Sequence, residues 1–249
     1  MVETLISDKN PLLKEVRRLA AGGAPAEDGF ALAEGPRLLD EALRSKLKIH
    51  AVILAESAGR IPSVGKTRVV SVPDSTFNKL SSTDSPQGIL TLVHLPKWTG
   101  EDLVQGNPLV VILDGVQDPG NAGTILRTAE AFGAAGAIFL KGTVNPWNPK
   151  CLRASAGSAF RLPMVVGTSR GIPIGLALYA ADARAERHIS QARLNIPCGI
   201  VIGSEGSGVS PELAARATGV KIPTVAVESL NAAVAAGILL YEARRQRNT

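Results

Sequence analysis

Cysteine is scarce in this chain: Cys151 and Cys198 are the two among 249 residues. That is too few for a disulfide framework, and neither stands in the CxxC or Cys/His spacing of a zinc site. Aromatic residues are also few, with five Phe, two Trp and two Tyr, so a core must be built from Ala, Val, Leu and Ile. Long apolar runs are missing. The longest, Ala232 to Tyr241, is bounded by Asn231 and Glu242, well short of the roughly 18 residues of a membrane span. The N-terminal MVETLISDKN carries Glu3 and lacks a basic-then-apolar leader pattern, which points to a cytoplasmic protein with no membrane partner. No Asp/His/Cys cluster offers a metal site.

What is present is an ordinary folding composition, 45% hydrophobic and 20% charged, which argues against disorder. The net charge is +5 and the sequence pI about 9.4. A mild basic excess favours an anionic partner such as nucleic acid. The excess is shared by both parts of the chain, so folding must assemble any basic surface.

Residues 94–108, HLPKWTGEDLVQGNP, mark a boundary where an apolar strand-like run gives way to Pro, Gly and polar residues. The linker is placed at about 96–107, between domains 1–98 and 107–249. The first domain reads as a small α/β unit. It has helices after Asn10-Pro11, from Pro36 and around Phe77, and strands near Phe30, at His50 to Leu54, Arg68 to Val72 and Ile89 to Leu95. In the second, LVVILD, AIFL, LALYA, GIVIG and VKIP alternate with helices or turns, the pattern of a parallel, doubly wound α/β sheet. By periodicity this is a Rossmann-like sheet.

Three segments could carry chemistry. In LDGVQDPGNAGTILRTAEAFGA, residues 113–134, a strand ending in Asp114 turns into a helix for which Asn121 is a candidate N-cap and Gly133 a terminator. In GIVIGSEGSGVSPEL, residues 199–213, a strand feeds a turn with Gly203, Gly206 and Gly208, followed by Ser210-Pro211 opening a helix. This turn matches neither the dinucleotide fingerprint nor the P-loop, and Glu205 inside it would repel phosphate, so a hydroxyl or cationic ligand fits better. In VKIPTVAVESLNAAVAAGILLYEARRQR, residues 220–247, Ser229 is a candidate cap for an Ala-rich helix. That helix is apolar enough to expect burial on several sides, by its own sheet and by a second subunit.

Together, N-A-G-T-I-L-R-T-A, I-G-S-E-G-S-G and I-P-T-V-A-V-E-S-L-N-A-A-V-A resemble the SpoU/TrmH family of RNA ribose 2′-O-methyltransferases, within the SPOUT class. The preceding NPLLKEVRRLA, FALAEGPRLLDEAL and LSSTDSPQGIL are similar to that family's ribosomal-protein-like RNA-binding domain. The resemblance implies S-adenosylmethionine held in a deep C-terminal trefoil knot and a homodimer that completes the sites. It implies catalytic positions at Arg127, Asn121, Glu205, Ser229 and Asn231. Cofactor contacts are implied at Ile202, Gly203, Glu205, Gly206, Ile222, Ser229, Leu230 and Asn231, with Gly206 permitting the turn. The third segment departs from the family, with Thr224, Val225 and Ala226 where Met-x-Gly is usual and Ala232 and Ala233 where Val and Ser are common.

Arg127 stands at the position of the family's catalytic residue, but a guanidinium stays protonated and makes a poor base. Its expected work is to hold an RNA phosphate, orient the ribose and stabilise the developing alkoxide. His50, His94 and His188 lie outside the three segments and read as structural. Arg17, Arg18, Arg37, Arg153 and Arg161 are candidate RNA backbone contacts. Ribosomal RNA is the expected substrate and tRNA the alternative. The rivals are an RNA- or ribosome-binding protein without catalysis, and an oxidoreductase on an unknotted Rossmann domain, which the missing glycine fingerprint disfavours.

Overall fold

The computed structural model describes residues 2–5, 9–26, 29–59 and 63–248. Its contacts group into two compact units, 1–97 with 147–161, and 98–146 with 162–249.

The first unit holds β1 (Val2–Thr4), α1 (Pro11–Ala20), β2 (Phe30–Glu34), α2 (Pro36–Arg44), β3 (Ile49–Ala55), β4 (Arg68–Val72), α3 (Asp74–Leu80) and β5 (Ile89–His94). Its sheet runs β1-β4-β3-β5-β2. β4 pairs in parallel with β1 and β3, and β5 antiparallel with β3 and β2. Asn10 caps α1 by accepting from the Leu12 N–H at 2.9 Å, with Pro11 at the first helical position. Leu12, Leu13, Val16 and Leu19 recur at helical spacing and pack with Leu32, Ile53, Leu90 and Leu92 of the sheet.

In the second unit lie β6 (Leu109–Asp114), α4 (Pro119–Ala131), β7 (Gly136–Leu140), β8 (Met164–Gly167), β9 (Ala177–Ala181), β10 (Cys198–Gly203), α6 (Pro211–Ala214), β11 (Thr218–Val220) and α7 (Ala232–Arg247). Its six strands are all parallel, in the order β11-β9-β10-β6-β7-β8. Every residue of β6 and β7 is buried, which explains their unbroken apolar reading, since a parallel sheet is covered on both faces. The order departs from the Rossmann expectation. There the fourth strand would lie beside the first, whereas here β10 lies between β6 and the fourth strand, β9. Hydrophobic period is blind to this difference. The last strand also differs, ending at Val220 rather than running through VKIP. The N–H of Lys221 donates instead to the Arg187 carbonyl at 2.9 Å.

Residues 147–161, placed by sequence inside the second domain, join the first unit. They include α5 (Pro149–Ser155), which packs on β2. Arg153 reaches Glu34 at 3.0 Å and Ser82 Oγ at 2.6 Å, and Arg161 reaches Glu41 at 2.6 Å. Gly157, at φ +95°, has the side chain of Glu41 where a Cβ would stand, so only glycine allows that approach. Among the described residues, no helix is long and apolar enough to cross a membrane.

Candidate active site

β6 and β10 end side by side, with Ile202 opposite Leu113 and Gly203 opposite Asp114. In an open α/β sheet, ligands bind at the carboxyl ends of such strands. The turn after β6 is capped by Asp118, not by Asn121 as the sequence suggested: the Asp118 carboxylate accepts from the Asn121 N–H at 2.7 Å. Asp118 precedes Pro119, which fills the first helical position where a missing N–H costs nothing. Asn121 therefore lies within the first turn of α4, with its side-chain amide available for other work.

After β10 the chain closes on itself. Ser204 and Gly208 exchange two backbone hydrogen bonds at 3.0 Å. A Cβ on Gly203 would lie 2.1–2.4 Å from the backbone of Gly208 and Val209, so position 203 must be glycine. The left-handed residue of the loop is Gly208, at φ +69°. Gly206, expected to permit the turn, has no positive φ and nothing near its missing side chain. The buried carboxylate of Asp114 accepts from the Ser210 N–H at 2.7 Å and ties the loop to the end of β6. Glu205 is left exposed at the tip.

The third segment ends at α7, whose N-cap is Asn231 rather than Ser229. Asn231 Oδ1 accepts from the N–H groups of Ala233 and Val234 at 2.9 and 3.3 Å. Its Nδ2 donates to Asn121 Oδ1 at 3.0 Å, and Asn121 Nδ2 donates to Glu205 Oε1 at 2.6 Å. One hydrogen-bonded chain thus joins the three motif segments.

Beside it opens a cavity of about 400 Å³ at the ends of β9, β10 and β11. Ile202, Gly203, Glu205, Ile222, Ser229, Leu230 and Asn231 line it, as do Asp182, Arg184 and Glu228, which the sequence reading did not single out. The signal for Asp182 and Arg184 was available in LALYAADAR, a buried strand ending in charged residues. Asp182 accepts from the Arg184 N–H at 2.9 Å. Three carboxylates against one guanidinium, with Ile202, Val220, Ile222 and Leu230 as apolar wall, suit a flat apolar group joined to a cationic one. These features fit S-adenosylmethionine, whose charged centres are a sulfonium, an ammonium and one carboxylate.

Gly206 is absent from the lining, and so is Arg127, which is exposed on α4. Of the five arginines proposed for RNA contact, Arg18 is held by Glu15 at 2.7 and 2.9 Å, and Arg153 and Arg161 are paired as described above. A guanidinium already bound to a carboxylate offers little net charge to a phosphate. Arg37 is exposed and Arg17 half-buried.

The SpoU rRNA Methylase family matches residues 108–241, and the MRM3-like substrate binding domain matches 10–91. An uncharacterised tRNA/rRNA methyltransferase of Synechocystis sp. is 33% identical, over 99% of this chain and 95% of its own. A 23S rRNA guanosine 2′-O-methyltransferase of Bacillus subtilis is 31% identical, over 96% and 98%. Among solved structures, the AdoMet-bound rRNA methyltransferase of Sinorhizobium meliloti superposes with a TM-score of 0.81 at 28% identity, covering 98% of each chain. The SpoU methyltransferase AviRb of Streptomyces viridochromogenes, also in complex with AdoMet, superposes at 0.83 with 25% identity over 97% and 99%.

Proposed function

The chain belongs to the SpoU rRNA methylase family, and from that premise we propose that it methylates a ribose 2′-hydroxyl of ribosomal RNA, with S-adenosylmethionine as donor. The observation that carries the reading is the Glu205–Asn121–Asn231 chain, which draws all three motif segments together beside an acidic, apolar-walled cavity.

Ile202, Gly203, Ile222, Ser229, Leu230 and Asn231 would hold the cofactor, with Asp182, Glu205 and Glu228 complementing its positive charge. When bound, it supplies a methyl group on a sulfonium that is already a good leaving group. What remains for the protein is to place and activate the hydroxyl. Arg127 pairs with an RNA phosphate, orients the ribose and stabilises the alkoxide as it develops, which is positioning and electrostatic work rather than proton abstraction. Asn121 holds Glu205 in place through its amide.

A second copy of the chain completes this site. α7 leaves Val234, Ile238 and Tyr241 exposed at 51%, 37% and 56%. Their i, i+4, i+7 spacing makes one apolar stripe, and Tyr241 meets Phe132, the residue that ends α4, edge to face at 5.8 Å. A contiguous exposed apolar stripe marks an interaction surface. A deep trefoil knot belongs to the same reading, supported by the insertion of β10 between β6 and β9 and the return of α7 against α4 and β10.

The test supplies methyl-labelled S-adenosylmethionine and unmodified ribosomal RNA or tRNA to the wild type, Arg127→Ala and Arg127→Lys. Label is expected at one alkali-resistant linkage in ribosomal RNA. Both variants should lose at least about 100-fold in rate, because one ammonium does not reproduce a planar fork. Near-normal turnover by the lysine variant would overturn the role of Arg127. Absence of cofactor binding would overturn the enzyme itself.

A further inference from the structure

Three rings crowd together on the sheet of the first unit. Phe30 and His94 are direct cross-strand partners on β2 and β5, with ring centroids 4.9 Å apart at 81°. His50 is the extra residue of an irregularity in β3: Ile49 pairs with Val93 and Ala51 with Leu92, leaving His50 outside the ladder. A bulge re-aims the side chain it carries. Here the His50 imidazole lies on Phe30 at 4.2 Å and 24°, with His94 5.8 Å away.

The stack has a supported side and an open one. Phe30 packs against the apolar core of the unit, whereas His50 is exposed. Burying Phe30 does not require an imidazole laid over it in the open. Both histidines titrate below the ordinary histidine value. Burial is the larger cause for each, joined by the charges of Arg68 and Lys48 at His50, and by Lys48 and His50 at His94. Near neutral pH, the open face is therefore an uncharged π surface. Lys48 is exposed, and its carbonyl accepts from the His94 N–H at 2.9 Å, which fixes its backbone at the edge of the rings. The Arg68 guanidinium is engaged with Glu3 at 2.9 and 3.0 Å, leaving Lys48 as the local cation for an anionic ligand among the described residues.

We propose that Phe30, His50 and His94 form a stacking platform for an unpaired base of RNA, with Lys48 meeting the adjoining phosphate. The proposal rests on RNA being the substrate, and it specifies what part of the RNA the first unit grips. Aromatic faces accept any base that is free to leave its helix, so the platform selects single-stranded nucleotides over duplex and carries little sequence preference.

The test measures binding of the full-length chain to fluorescein-labelled short oligoadenylate and to a short RNA duplex, at fixed salt and then across a salt series. His50→Ala is expected to weaken oligoadenylate binding about 5- to 100-fold, the loss of one stacked base, and to leave duplex binding unchanged. His50→Trp should restore the affinity, which a merely structural or charge role would not allow. The salt slope should stay the same in both variants and fall by about one in Lys48→Ala. Wild-type affinity in His50→Ala, equal weakening for oligoadenylate and duplex, failure of His50→Trp to restore binding, or a wild type that binds neither probe would each overturn the platform. Methyl transfer to unmodified ribosomal RNA is assayed alongside. Normal transfer with an unaffected His50→Ala sinks the platform and leaves the methyltransferase standing. No transfer by the wild type sinks the methyltransferase reading, while the oligoadenylate pattern still decides the platform.

Discussion

Asn121 has one way to orient its amide. Asn231 Oδ1 is taken by two helix N–H groups, so Asn231 presents its Nδ2 to Asn121, which must answer with its own oxygen and offer its NH₂ to Glu205. A residue that reads as a helix cap is thus the middle of a relay, because Asp118, three residues earlier, had already taken the cap. Glu34 shows the same economy in the first unit. Burial by itself would raise its pKa. Hydrogen bonds from Ser81, Ser82 and Thr83 and from the Ser82 N–H outweigh that, and the carboxyl titrates below its ordinary value. Arg153 adds an ion pair. A carboxyl whose folded pKa lies below its unfolded one contributes stability above the unfolded pKa and loses it as pH falls through the folded one. Glu34→Gln should therefore cost about 2 kcal/mol at pH 7, and the gap to wild type should shrink as pH drops from about 5 towards 3. Urea midpoints across that range decide it; parallel curves would show that Glu34 is not the group responsible.

At the scale of elements, α7 separates stability from chemistry. Asn231 both caps the helix and donates to Asn121. Asn231→Ala should cost about 1 kcal/mol of stability together with methyl transfer. Asn231→Asp keeps the capping oxygen but turns a carboxylate towards Asn121 Oδ1, so it should hold the unfolding midpoint and still lose transfer. If the Asp variant is fully active, the relay has no catalytic part. The helix itself was legible from AAVAAGILLYEA, and β6 from LVVILD, because a segment buried on most sides declares itself by composition. The cap was not: Ser229 and Asn231 are both good capping residues, and which one starts the helix depends on where Asn121 stands in the folded unit. Gly203 and Gly206 likewise look alike in the sequence, yet only Gly203 has backbone where a side chain would be.

For the whole molecule, Val234, Ile238 and Tyr241 are exposed and form the stripe on which the proposed second copy would dock. Ile238→Glu should convert a dimer into a monomer in sedimentation velocity and abolish transfer while cofactor binding falls less, since Ile238 lines no part of the cavity. A wild type that sediments as a monomer would refute the interface. The features legible along the chain are local or additive: a parallel α/β unit after a smaller one, most strands and helices, and three segments rich in turn-formers at strand ends. Periodicity, capping chemistry and burial leave their mark residue by residue. Tertiary structure alone decided that β10 enters between β6 and β9, that 147–161 groups with the first unit through Arg153 and Arg161, that Asp182 and Glu228 share a cavity with Ser229, and that His50 lies on Phe30. Each of these is a pairing between residues far apart in the chain. A residue's own pattern records how deeply it is buried, but not which distant partner buries it.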